Sequence, residues 1–156
     1  MKRITPIFVI VLIMFLAAAC GSPAPAATQA PAQPAATEAP PAAGNGTQVD
    51  VTLADNTIDA SMTTFQVGVP YTFVITNNGR HAHNFNINPP VSVAGSLEQA
   101  LNSALLAVPQ EQLGVGDTVT VDFTFPDSAA GQLFEFSCLI RRHYDDGMKV
   151  DIIVAN

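Results

Sequence analysis

Hydrophobic and polar residues alternate along several short stretches after residue 46, which is the pattern of half-buried β-strands. The clearest alternation covers residues 118–125, and a shorter one places Val49, Val51 and Leu53 on one face. Turn-forming residues such as Asn77-Asn78-Gly79 separate these stretches. The other predicted strands cover residues 62–67, 71–76, 85–87, 133–136 and 150–154. About seven short strands separated by turns predict an all-β fold, a Greek-key β-sandwich.

One segment departs from the strand pattern. Within residues 96–108, apolar side chains recur at helical spacing, at Leu97, Ala100, Leu101, Ala104 and Leu105. Ser96 precedes them and stands three residues before Gln99, so its side chain can cap a helix N-terminus. We therefore expect one short helical insertion in the sandwich.

The N-terminus has the features of an export signal. Lys2 and Arg3 precede an apolar run over residues 7–19, which is too short to span a bilayer and typical of a signal-peptide core. Small residues stand directly before Cys20, as at the sites where bacterial lipoproteins are cleaved and lipidated. The alternative is ordinary cleavage that leaves Cys20 free. We expect residues 1–19 to be a lipoprotein signal peptide and Cys20 to be lipidated.

A linker follows the signal. Residues 21–46 consist mainly of Ala, Pro, Thr and Gln and contain no Phe, Ile, Leu, Val or Met. Such a composition cannot bury enough apolar surface to fold, and its prolines favour extended conformations. Residues 20–46 are therefore predicted to be a disordered tether that holds a folded domain, residues 47–156, above a membrane.

The predicted domain is acidic. Two of the chain's six basic residues and one of its thirteen acidic residues precede it, which leaves the domain a formal charge near −8. This charge argues against nucleic acid as a partner. Cys138 is the only cysteine in the domain, so the domain has no internal disulfide. An unpaired cysteine in an exported protein is buried, reactive or a metal ligand.

Sulfur and imidazole side chains are concentrated near the C-terminus. Cys138, His143 and Met148 follow one another with four residues between neighbours, and His83 lies in an upstream loop. Taken alone, each has an ordinary explanation, such as a core methionine or a surface histidine. In a sandwich, however, loops cluster at the two ends, so these four can meet. Two histidines, one cysteine and a weak axial methionine are the ligands of a blue-copper electron-transfer site.

The same residues carry a family resemblance. Asn78-Gly79 stands before His83-Asn84-Phe85, Gly116-Asp117 opens a strand, and the cysteine, histidine and methionine follow in order. In these features the domain resembles the cupredoxins, the type 1 blue-copper family, and its spacing and tethered layout are most like the auracyanins.

This resemblance implies a set of roles for individual residues. His83, Cys138 and His143 would be the equatorial ligands of one copper ion, and Met148 would be the axial ligand. The side chain of Asn84 would form a hydrogen bond to the ligand loop and orient it.

Arg141 and Arg142 depart from the family pattern, which usually has Pro-Gly before the second histidine. They predict a docking patch for an acidic redox partner. The alternative is a pair of solvated arginines neutralised by Asp145 and Asp146.

Together these features predict a monomeric, membrane-tethered, extracytoplasmic electron carrier and not an enzyme. It would pass single electrons between redox complexes of a respiratory or photosynthetic chain. Three alternatives remain open from sequence: a copper chaperone or storage lipoprotein, a metal-free binding module of the same fold, and a copper enzyme with an open coordination position. The chaperone is disfavoured because the domain has only two methionines, Met62 and Met148.

Overall fold

Two β-sheets make up most of the part of the chain that the computed structural model describes, residues 46–156. In chain order the strands are β1 (Thr47–Ala54), β2 (Thr57–Ala60), β3 (Thr64–Gln66), β4 (Pro70–Asn77), β5 (Phe85–Asn88), β6 (Leu106–Val108), β7 (Thr118–Thr124), β8 (Phe134–Ser137) and β9 (Lys149–Ala155). The helices are α1 (Val91–Ala94), α2 (Leu97–Asn102) and α3 (Arg141–Asp145). The predicted signal peptide, Cys20 and nearly all of the linker lie outside the described residues.

The strands pair as expected for a β-sandwich. One sheet has the order β2-β1-β4-β7 and the other has the order β3-β9-β8-β5-β6. β1 runs parallel to β4 and β3 parallel to β9, while the other neighbours are antiparallel. The all-β sandwich prediction is confirmed. Within residues 46–156, no helix has the length and hydropathy needed to cross a membrane.

An aromatic cluster fills the space between the sheets. Phe65 is fully buried, and its ring centroid lies 5.0–5.8 Å from those of Tyr71, Phe73, Phe125 and Phe136. Phe136 also packs against Phe85, with 5.1 Å between the ring centroids. Phe85 stands two residues after His83, and Phe136 stands two residues before Cys138. The core therefore anchors the two segments that carry the first two proposed copper ligands.

The predicted helical insertion is only partly correct. Its cap is present, because the backbone N–H of Gln99 donates to Ser96 Oγ at 3.1 Å. However, α2 ends at Asn102, and the remainder of the segment continues into strand β6. Leu106 there pairs with Ile87 of β5. Pairing satisfies the backbone groups on the outer edge of β5, and this tertiary requirement overrides the helical spacing of the side chains.

Three further elements were not predicted. Strand β2 pairs with β1 along the edge of the first sheet. Helix α1 packs against α2 with the side chains of Val91, Ala94 and Leu97 around the buried Ala100. Helix α3 lies between the segments predicted as the last two strands and contains His143.

A buried asparagine ties together the loops at one end of the sandwich. Asn77 is fully buried, and its Nδ2 lies 2.9–3.0 Å from the carbonyl oxygens of His81, Leu113 and Gly114. Its Oδ1 accepts a hydrogen bond from the backbone N–H of Gly79 at 2.9 Å. In the sequence Asn77 signals only a turn. In the structure it joins the loop that leads to His83 to the loop that leads to β7.

We predict that Asn77→Ala lowers the free energy of unfolding of residues 46–156 by about 3 kcal/mol, because it removes the bonds from Nδ2 to three carbonyl groups and leaves the buried N–H of Gly79 without its acceptor. Urea unfolding of the metal-free domain measures this loss. The control is Asn78→Ala, whose side chain is exposed and whose effect should stay within about 0.5 kcal/mol. Equal losses in the two variants would contradict the proposed role of Asn77.

Candidate metal centre

The pairing of β8 with β9 places two sulfur atoms on one face of the sheet. Ser137, the last residue of β8, lies opposite Lys149, the first residue of β9. One residue further, the backbone N–H of Cys138 donates to the carbonyl oxygen of Met148 at 3.1 Å. Residues that lie opposite each other project from the same face. The Cys138 thiol and the Met148 thioether therefore both enter the core, where both residues are fully buried.

The pairing of β5 with β8 brings His83 to the same end of the sandwich. Asn86 of β5 lies opposite Ser137 of β8, and the two chains remain adjacent beyond the ends of these strands. Asn84 Oδ1 accepts hydrogen bonds from the backbone N–H of Leu139 at 2.7 Å and from Asn86 Nδ2 at 3.0 Å. The contact expected between Asn84 and the ligand loop is thus present, and it joins the His83 segment to the chain just after Cys138.

His143 lies at the centre of the loop between Cys138 and Met148. The loop folds into helix α3, in which the N–H of Tyr144 donates to the carbonyl of Ile140 at 3.0 Å. The carbonyl of His143 then accepts a hydrogen bond from Met148 N–H at 2.9 Å. This helical turn points the imidazole back toward Cys138. His143 is partly exposed, in contrast to the other three proposed ligands.

Three donor atoms converge on one point. His83 Nδ1 lies 3.0 Å from His143 Nδ1, and Cys138 Sγ lies 3.9 Å and 3.5 Å from these two nitrogen atoms. The point equidistant from these three atoms lies about 2.0 Å from each of them. Metal–nitrogen bonds are usually about 2.0–2.1 Å long and metal–sulfur bonds about 2.3 Å, so the space between the three atoms is the size that a metal ion needs. Within residues 46–156, no other cluster of His, Cys, Asp and Glu side chains forms such a group.

The protonation chemistry of the donors suits a metal ion. Burial lowers the pKa of His83 and the nearby His143 lowers it further, against an opposing effect of Asp55, so the neutral ring that a ligand needs is favoured. Burial raises the pKa of the Cys138 thiol, while backbone N–H groups of Ile140 and Asn84 oppose that rise. A metal ion must therefore displace the thiol proton. Two imidazoles, one thiolate and a buried thioether form a donor set that fits one copper ion.

An open cleft of about 380 Å³ lies beside His143. His81 lies at this cleft and is exposed, and its Nδ1 lies 3.2 Å from Asp55 Oδ1. His81 is therefore not part of the donor triangle, the group formed by His83 Nδ1, Cys138 Sγ and His143 Nδ1. Asp55 was not singled out from the sequence, because it lies in a distant turn with no motif around it. The cleft is lined by Asp55, Asn56, Arg80, His81, Arg142, His143 and Asp146.

Comparison with solved structures shows which fold this is. An auracyanin from the photosynthetic bacterium Roseiflexus castenholzii aligns with a TM-score of 0.55 and 25% identity, over 72% of this chain and 100% of its own. The chain has a cupredoxin fold. An azurin from Methylomonas sp. strain J aligns with a TM-score of 0.52 and 17% identity, over 70% of this chain and 98% of its own.

A third cupredoxin structure, auracyanin B, aligns at a TM-score of 0.51 with 18% identity, over 72% of this chain and 96% of its own. No protein-family model and no curated protein sequence matches the chain. The assignment of the chain to the cupredoxin fold therefore depends on the comparison of structures. It confirms the auracyanin-like fold predicted from the sequence motifs.

Proposed function

We propose that this cupredoxin domain holds one type 1 copper ion and transfers single electrons. The observation that carries the proposal is the convergence of His83 Nδ1, Cys138 Sγ and His143 Nδ1 around one point. These would be the equatorial ligands, with Met148 as the axial ligand. Copper bound to this donor set supplies a reversible Cu(I)/Cu(II) couple. We infer an electron carrier and not an enzyme, because with Met148 as the axial ligand no coordination position would be left open for a substrate.

The protein surroundings suit an electron carrier more than a copper chaperone. Cys138, His83 and Met148 are fully buried. Hydrogen bonds from Leu139 and Asn86 to the side chain of Asn84 fix the chain next to Cys138 and next to His83. Rigid donors rearrange little between two oxidation states, and buried donors exchange metal slowly. The partly exposed edge of His143 is the route by which an electron would enter or leave.

The charges around His143 indicate the chemistry of a redox partner. Arg80 and Arg142 line the cleft beside His143, and the exposed Arg141 directly precedes Arg142. Lys149 lies directly after Met148, with Nζ 4.1 Å from the centroid of the Tyr144 ring. These four are all the basic residues of the domain. This cationic end holds four basic residues against the nearby Asp55, Asp145 and Asp146, on an otherwise acidic domain, and so supports docking of a partner with an acidic surface.

The arginines of α3 are available for such docking. Among the described residues, no salt bridge joins Arg141 or Arg142 to a carboxylate; the ion pair found there joins Arg80 to Asp55, whose carboxylate also lies near the rings of His81 and His83. Asp145 and Asp146 are exposed near them but do not pair with them. This favours the docking patch over the alternative in which the aspartates neutralise the arginines.

We place the carrier outside the cytoplasm, tethered to a membrane through Cys20. The support comes from the sequence, namely the signal-like residues 1–19, the small residues before Cys20 and the linker that follows. A tether of this composition allows the domain to reach up to about 75–80 Å from the membrane at about 3.1 Å per residue. The domain could then alternate between a donor and an acceptor complex in the same membrane.

Adding one equivalent of Cu(II) to residues 46–156 should produce an intense blue or green thiolate–copper band that ascorbate bleaches. Cys138→Ser should abolish the band. Met148→Leu should keep the colour but raise the reduction potential, because it removes the axial sulfur. The matched control Met62→Leu should change neither property. A colourless product, or a pale one that survives Cys138→Ser, would instead support the metal-free binding module.

We predict that Arg142→Gln slows oxidation of the reduced, copper-loaded domain by hexacyanoferrate(III) about threefold at low ionic strength. The anion is attracted to the cationic end, and the effect should vanish near 1 M salt. The control Thr124→Glu makes the same change in net charge at an exposed site at the other end of β7. Stopped-flow kinetics measure the rates. Equal slowing by both variants would show that only net charge matters.

Full-length chain expressed in a bacterium should partition into the detergent phase of a Triton X-114 extract, and Cys20→Ser should move it to the aqueous phase. Mass spectrometry of the N-terminal peptide measures the added lipid directly. Wild-type protein found in the aqueous phase with an unmodified Cys20 would contradict the tether.

A further inference from the structure

His83 has one ring nitrogen with no partner. Its Nε2 is the only buried side-chain nitrogen or oxygen atom in residues 46–156 that makes no hydrogen bond. Its Nδ1 faces Cys138 and His143. A neutral imidazole that offers Nδ1 to a metal must carry its proton on Nε2. A fully buried N–H donor therefore points away from the donor triangle.

A carboxylate lies close to this N–H. Asp55 Oδ1 lies 3.9 Å from His83 Nε2. The carboxylate is held in place by Arg80, whose backbone N–H and Nε donate to its two oxygen atoms Oδ1 and Oδ2 at 2.8 Å and 2.7 Å. The exposed His81 ring lies 3.2 Å from the same carboxylate. Asp55 is thus fixed at a distance slightly too long for a hydrogen bond but close enough for a strong charge–dipole attraction.

Gly79 keeps the space between the two groups open. A Cβ atom at this position would lie 2.7 Å from His83 Nε2 and 2.9 Å from Asp55 Oδ1. Both distances are shorter than real side chains allow, so any other residue would displace the imidazole or the carboxylate. The backbone N–H of Gly79 is itself held by Asn77 Oδ1 at 2.9 Å. The loop is built so that imidazole and carboxylate face each other directly.

We propose that Asp55 is a positioning residue for the metal centre, whose carboxylate holds His83 with its proton on Nε2 and Nδ1 directed at the metal. Histidine ligands commonly have their second nitrogen oriented by a carboxylate, a carbonyl or water, which fixes the tautomer and makes the ligand more basic. The negative charge also favours the more positive Cu(II) state. This last effect rests on the proposed copper function, whereas the tautomer does not.

The first test uses the copper-free, full-length wild-type chain at a pH where histidine is neutral. Long-range ¹H–¹⁵N NMR spectra distinguish the two tautomers of His83. We expect the proton on Nε2. A proton on Nδ1, shared with the nearby His143 Nδ1, would overturn the proposal without any variant and whether or not the protein binds copper.

The second test removes the charge and keeps the shape. Asp55→Asn should shift His83 toward a mixture of tautomers and weaken Cu(II) binding about tenfold, with a smaller loss for Cu(I). Arg80→Gln is the control, because it breaks the ion pair to Oδ2 but keeps the backbone N–H that holds Oδ1, the oxygen 3.9 Å from His83 Nε2. Competition titrations with chelators for each oxidation state measure the affinities.

The outcomes separate the possibilities. Unchanged tautomer and affinity in Asp55→Asn would overturn the proposal. Equal losses in Asp55→Asn and Arg80→Gln would also overturn it, since Asp55 would then only hold the loop. If the wild-type chain binds no copper, the proposed function fails, and the tautomer in the wild type and in Asp55→Asn still decides the role of Asp55.

Discussion

The register between β5, β8 and β9 is the constraint on which the metal centre depends. Because side chains alternate between the two faces of a strand, a slip of one residue would turn every side chain of a strand to the other face. In the observed register Cys138 and Met148 lie opposite each other, and Asn84 reaches Leu139. The packed aromatic rings between the sheets resist any slip, since it would expose them. The packing of the core therefore sets the geometry of the donors.

Because the donor side chains are buried, each of them is stable only when it has a partner. His83 and Cys138 are completely withdrawn from solvent, and polar groups in such surroundings are costly unless they find partners. A shared metal ion would be a common partner for His83 Nδ1 and Cys138 Sγ. The asparagines reduce the remaining cost, because Asn77 and Asn84 satisfy backbone groups in the loops that approach the centre. These side chains also leave the loops little freedom to rearrange when the charge of the ion changes.

The sequence predicts the sandwich well where alternation reports burial directly. β1 shows this most clearly, because Val49, Val51 and Leu53 are all buried in it. Helical spacing over residues 96–108 misassigned Leu106, whose place in β6 is decided by pairing with the free edge of β5. Reasoning from the sequence also recognised the sulfur and imidazole ligands by their chemistry. It could not find Asp55, because a carboxylate in a turn acquires a role only when the fold brings it beside His83.

Two opposite charges line the cleft beside the centre, one partly buried and one exposed. Asp55 lies 3.9 Å from the buried ring of His83 and is fixed there by Arg80. Arg142 is exposed at the rim of the cleft, where mobile ions surround it. Salt screens exposed charges strongly and partly buried ones much less. The carboxylate is therefore suited to set the relative stability of the two copper states, whereas the arginine is suited to govern how quickly a charged partner arrives. Such a separation would let the docking surface change in evolution without altering the redox balance of the centre.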